Sequence, residues 1–160
     1  MDYSSERYHQ AQANTYVQAL REVKAGRKTS HWMWYFFPQL ISLGQSDMAY
    51  CYGISGLAEA KAYLVDPLIG ARLCEISSSL LSLETRNAEQ IFGMVDAKKL
   101  RSCMTLFAAA SEGQSSVFQR VLDAYYGGST DELTLKLLRG SCNESAPMPR
   151  LIIYNDFNMK

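Results

Sequence analysis

The residues best suited to chemistry are concentrated in RKTSHWMWYFFPQL, residues 27–40. His31 carries the one kind of side chain whose ordinary pKa lies near neutrality, which makes it a candidate general acid or base. Lys28 offers a cation nearby, Trp32 and Trp34 offer indole planes that can stack on a flat ring, and Gln39 offers an amide that both donates and accepts. On a helix, His31, Trp34 and Tyr35 are three and four apart and share a face, while Trp32, Phe36 and Leu40 share another. The expectation is that one face is buried and the other lines a cleft. The competing expectation is that all the rings are core.

Two further stretches carry charge at helical spacing. In DAKKLRS, Asp96, Lys99 and Ser102 fall at steps of three. Asp96 reads as an N-cap with Lys99 as its i,i+3 partner. The same helix start, with Lys98, Lys99 and Arg101 close by, also suits an anion. Ser102 and Thr105 either bond the preceding turn or point into a pocket. In PLIGARL, Arg72 has Glu75 as its ordinary partner and a ligand phosphate or carboxylate as the functional one. Gly70 nearby allows another backbone to come close. Taken together, the candidate site has His31 transferring a proton, Lys28, Arg72 and Lys99 holding anionic groups, and Trp32, Trp34 and Gln39 gripping a planar ring, with Asp96 and Ser102 beside them. No phosphate-binding loop, dinucleotide fingerprint, zinc-protease motif or nucleophile elbow is present.

Composition narrows the classes. The 160 residues fit one domain with a sizeable core. Sixteen basic and sixteen acidic residues give zero formal net charge, which removes the field that nonspecific nucleic-acid binding needs. The basic group Arg21, Lys24, Arg27 and Lys28 reads first as a solvated helix end, with a phosphate site as the alternative. Cys51, Cys74, Cys103 and Cys142 are 23, 29 and 39 apart, with no zinc-type pair. They suit small buried hydrophobes in a reducing compartment. The N-terminus does not read as a signal peptide, and no apolar run approaches the roughly 18–20 residues of a membrane span. A cytoplasmic protein without membrane contact or cofactor is expected.

The pattern elsewhere is all-α: a single globular bundle of about seven to nine short helices over residues 1–140, followed by a linker and tail over 141–160. Periodicity and caps predict helices over residues 6–24, 31–37, 47–52, 56–65, 67–83, 88–92, 97–111, 117–126 and 131–139. Ser4 or Ser5, then Ser30, Ser46, Ser55, Asp66, Asn87, Asp96, Ser116 and Thr130 stand at their starts. The apolar LIIY, residues 151–154, suits a short extended arm.

The segments GRKTSHWMWYFFPQL, DPLIGARL and IFGMVDAKKLRSCMTLF, in that order, resemble the domain-of-unknown-function family numbered eighteen-ten, whose members are often mislabelled calpastatin-like. The resemblance covers roughly residues 7–139 and implies a mainly helical domain without an established biochemical role. The architecture is also similar to the NADAR superfamily. That similarity implies a small-molecule partner of nucleotide or ADP-ribose type, with N-glycosidic hydrolysis as the first reaction to test. The alternative is a non-catalytic interaction module in which residues 31–37 anchor another protein or a second copy in a homodimer.

Overall fold

Helix starts fall largely where a short polar side chain can take up the first free N–H groups. Ser46 accepts from the Ala49 N–H, Asn87 from Glu89 and Gln90, and Ser116 from Gln119. The Asp66 carboxylate accepts from Leu68 and Ile69. The computed structural model describes residues 5–111 and 116–142, with side chains as far as Gly140. Within them lie α1 (Glu6–Gln12), α2 (Tyr16–Lys24), α3 (Met33–Phe36), α4 (Asp47–Tyr52), α5 (Leu57–Val65), α6 (Ile69–Leu81), α7 (Ala88–Ala110), α8 (Val117–Tyr126) and α9 (Glu132–Cys142), with a 3₁₀ turn at Ile41–Leu43. Among the described residues the one β-type pairing is the isolated bridge between Leu40 and Ile54. The fold is all-α.

Helix α7 is the axis. It packs on α5, α8 and α9, while α6 packs on α2, α5 and α8. Leu100, Cys103, Met104, Leu106 and Phe107 are buried along it. The Phe107 ring centre lies 5.3 Å from that of Tyr63 on α5 and 5.8 Å from that of Phe118 on α8. The α5–α6 contact depends on Gly70, because a Cβ there would run into the Leu64 carbonyl oxygen. The close approach expected of Gly70 is therefore present.

Several local expectations are corrected. Residues 6–24 form two helices, not one. The chain breaks at 13–15, where the Thr15 hydroxyl bonds back to the Ala11 carbonyl. Buried Gln12 donates to the Tyr35 carbonyl just before that break. Ser30 does not cap α3, which starts later, at Met33; its hydroxyl bonds Glu22 instead. Ser5 and Ser55 make no side-chain cap bond, and Asp131 rather than Thr130 accepts from the Thr134 N–H at the start of α9. Among the cysteines whose side chains are described, Cys51 and Cys74 are exposed and Cys103 is the buried hydrophobe expected; the Cys142 side chain lies outside the described residues. Helix α9 continues to Cys142, two residues past the expected end of the helical domain. Ser4 and the LIIY arm lie outside the described residues.

The ring-rich segment is mostly core. Trp32, Met33, Phe36 and Phe37 are each at most 2% exposed. What holds it is the buried carboxylate of Glu22 on α2. Oε1 accepts from the Thr29 and Ser30 N–H groups and from the Trp32 indole N–H at 2.9 Å. Oε2 accepts from the Ser30 hydroxyl at 2.6 Å and the Gln18 amide at 2.9 Å. Burial pushes this carboxyl up, but the Ser30 hydroxyl, the Thr29 N–H, the Gln18 amide and the Trp32 indole outweigh it and hold the pKa down to about 2, from an ordinary 4.5. A lowered folded-state pKa means stability that is complete above pH 4.5 and lost as pH falls towards 2. The shift corresponds to about 3 kcal/mol at neutral pH. Urea denaturation of the wild type should lose on that order between pH 6 and pH 2.5, with Asp66, also lowered to about 2, adding loss of the same sign. Glu22→Gln should be less stable at pH 6 and lose visibly less on acidification; equal acid losses in both proteins would contradict the assignment.

Candidate functional site

The Glu22 carboxylate sets the position of everything on one side of the site. Just past the end of α2, Gly26 with a φ of 79° turns the chain, and the Lys28 N–H then bonds the Ile91 carbonyl at 2.8 Å. That bond ties the loop to the first half of α7. Helix α7 itself breaks at Gly93, where φ is 85° and ψ is 166°. Three of the residues expected to bind a ligand, Asp96, Lys99 and Ser102, lie just beyond the break, on the second half of α7.

Across this junction the Lys28 ammonium is 2.9 Å from one oxygen of Asp96 and the Lys99 ammonium is 3.2 Å from the other. Lys28 also sits 5.1 Å from the Trp32 ring centre, and Lys99 sits 3.8 Å from that of Trp34. Indole, ammonium, carboxylate, ammonium and indole thus alternate. All three charged side chains are less than a fifth exposed. One carboxylate serves two cations, so the group carries one excess positive charge against two π faces, which themselves attract cations.

Lys99 and Trp34 open onto a cleft of about 400 Å³. Gln39, Leu43 and Gly44 form its wall before α4, Val95, Lys98 and Ser102 come from α7, and Asp131 and Leu133 come from the start of α9. Gln39 is only 8% exposed, yet its side-chain amide has no protein hydrogen-bond partner among the described residues. Its backbone is fixed, since the Gln39 carbonyl accepts from the Ile54 N–H at 2.9 Å. Asp131 uses Oδ2 to accept from the Thr134 N–H and hydroxyl, leaving Oδ1 without a protein donor among the described residues. Ser102 bonds the Lys98 carbonyl at 3.2 Å and lines the cleft as well, so both readings of it hold.

The expected residues divide accordingly. Trp34, Gln39, Lys99 and Ser102 line one cleft, with Asp96 and Lys28 supporting Lys99 from behind. Asp96 is not an N-cap; both its oxygens are taken by ammonium groups, and the helix restarts at Gly93 without it. Trp32 is sealed in the core with its N–H on Glu22 and is no wall of the cleft. His31 is exposed and is not among the residues lining the cleft. Arg72 does not join Lys99, nor does it pair with Glu75. Its guanidinium lies 4.9 Å from the Tyr16 ring centre and donates to Gln12 Oε1, while Glu75 accepts from the Tyr16 hydroxyl. The convergence of an imidazole, a guanidinium and an ammonium therefore does not occur. Asp131, Leu43, Gly44 and Leu133 were not anticipated. Only Asp131 left a sequence signal, the spacing to Thr134 that marks a helix cap.

A family model described as "Protein of unknown function (DUF1810)" matches residues 2–138. The chain belongs to this family. A solved structure, the conserved hypothetical protein Rv1873 from Mycobacterium tuberculosis, is 46% identical, with 84% of this chain and 95% of that chain covered and a TM-score of 0.81. Comparison with curated proteins gives no match. None of these matches concerns the NADAR superfamily. Among the described residues no helix is long and apolar enough to cross a membrane, and no cluster of His, Cys, Asp or Glu could hold a metal ion.

The shared carboxylate has a measurable consequence. Asp96→Asn leaves two partly buried ammonium groups facing each other without their counter-charge. We expect it to cost about 2 kcal/mol in chemical denaturation, between the values for exposed and fully buried pairs. Lys98→Gln, which removes no hydrogen bond or ion pair, should stay within about 0.5 kcal/mol of wild type.

Proposed function

We propose that the cleft binds a small anionic ligand bearing a flat heterocycle, of nucleotide or ADP-ribose type. The observation that carries this reading is the Gln39 amide, nearly buried at the cleft wall and unpaired among the described residues. That amide is open to the cleft, and a ligand edge presenting a donor beside an acceptor, as nucleobases and carboxamides do, matches its acceptor and donor. Trp34 supplies the flat surface for such a ring. The excess charge held by Lys28, Asp96 and Lys99, with Lys98 at the rim, supplies attraction for an attached phosphate or carboxylate.

The geometry favours binding over the catalysis first expected. His31 is outside the cleft, so no proton transfer is assigned to it. N-glycosidic hydrolysis in this cleft would place activation of water on Asp131, the carboxylate lining it, whose Oδ1 is open. The interaction-module reading is weakened by burial: Trp32, Met33, Phe36 and Phe37 cannot anchor a partner without leaving the core.

Calorimetric titration and thermal shift with AMP, ADP-ribose and NAD test the proposal. A ligand at a hundred times its Kd adds about 2.7 kcal/mol, which for a chain of this size raises Tm by roughly 5–10 °C. Trp34→Ala and Gln39→Leu should each weaken binding about tenfold, with His31→Ala unchanged. If none of the three compounds shifts Tm, or if His31→Ala abolishes binding while Gln39→Leu does not, the proposal is wrong. Release of free base or nicotinamide, lost in Asp131→Asn but not in His31→Ala, would establish the hydrolytic version.

A further inference from the structure

A second cleft of about 510 Å³ lies on the other side of Lys98, between the start of α7 and the end of α8. Three cations line it, Arg86, Lys98 and Arg101, against one carboxylate, Glu89. Among the described residues none of these cations forms an ion pair, and Glu89 has none either. This differs from the first cleft, where Asp96 compensates its lysines. In a chain with zero formal net charge, three cations against one carboxylate around one hollow are a local excess of positive charge that folding alone does not require.

The two guanidinium groups are also held in place. Arg86 donates to the carbonyls of Leu80, Leu81 and Leu83 at the end of α6, and lies 5.7 Å from the Tyr125 ring centre. Arg101 donates through Nε and Nη2 to Ser129 and lies 5.9 Å from the Tyr126 ring centre. The tyrosines are fixed in turn by bonds to the Leu80 and Ala97 carbonyls. Arg101 keeps Nη1 without a protein acceptor among the described residues, and Lys98 keeps its whole ammonium. Oriented N–H donors with little freedom left to lose are what binding a compact oxyanion demands.

We propose that this second cleft is a phosphate site, taking a di- or polyphosphate group of a small metabolite through Lys98 and Arg101, with Arg86 adding charge. A small ligand fits better than a nucleic acid, because the charge is confined to one hollow and the whole chain offers no extended basic field.

Inorganic pyrophosphate is the probe. Calorimetry at low ionic strength should show one-to-one binding that weakens as salt is added. Lys98→Gln, which breaks no hydrogen bond or ion pair, and Arg101→Gln should each raise Kd about tenfold or more. Lys136→Gln, an exposed cation on α9, should leave it unchanged. Trp34→Ala, which weakens binding in the first cleft, should also leave it unchanged, so failure here and failure of the nucleotide reading are separable. No saturable binding, binding indifferent to Lys98→Gln and Arg101→Gln, or binding lost only in Trp34→Ala would each overturn the assignment.

Discussion

A single buried carboxylate organises the half of the molecule that the candidate site depends on. Glu22 comes from α2, and its two oxygens take up N–H and O–H groups from Gln18, Thr29, Ser30 and Trp32. A buried charge without partners would be strongly unfavourable; surrounded by five donors, it becomes the least movable point of the loop. Trp32 is thereby pinned in the core and Lys28 is aimed at Asp96. The ring-rich segment is a core plug through Trp32, Met33, Phe36 and Phe37 and a cleft wall through Trp34 and Gln39, its backbone held by an acid from the preceding helix.

Asp96 does for charge what Glu22 does for hydrogen bonds. It neutralises two ammonium groups only in part, and each of them faces an indole. The two tryptophans end up in opposite circumstances. Trp32 has its N–H satisfied and its ring sealed, and Trp34 lines a cleft with an N–H that has no protein acceptor among the described residues. Placing the excess charge beside the open indole makes the cleft attractive to an anionic aromatic ligand. In the second cleft one carboxylate, Glu89, stands against three cations without forming an ion pair among the described residues, and the helix carrying Lys98, Lys99 and Arg101 borders both clefts.

Much of the fold was legible because helix starts and periodicity are local. Ser46, Asp66, Asn87 and Ser116 accept the N–H bonds their types suggest, and Gly26, a residue type suited to positive φ, takes a left-handed turn after α2. The errors come from side chains with a better distant partner. Ser30 prefers Glu22 and Asp96 prefers Lys28, and neither preference follows from sequence spacing alone. In the same way, Arg72 found Tyr16 and Gln12 rather than its neighbour Glu75. Trp34, Gln39, Lys99 and Ser102 were identifiable by type and do share a cleft. Asp131 and Leu133 close that cleft from some thirty residues further along, a tertiary approach with no local signature.

The two indole N–H groups report on this account directly. In a ¹H–¹⁵N spectrum, the Trp32 indole N–H should exchange slowly with solvent and hold its position as AMP or ADP-ribose is added, because it is buried on Glu22. The Trp34 indole N–H should exchange rapidly and move with ligand until saturation. Equal protection of both N–H groups, or a ligand-dependent shift at Trp32 with Trp34 unmoved, would contradict the division between core plug and cleft wall on which the functional proposal rests.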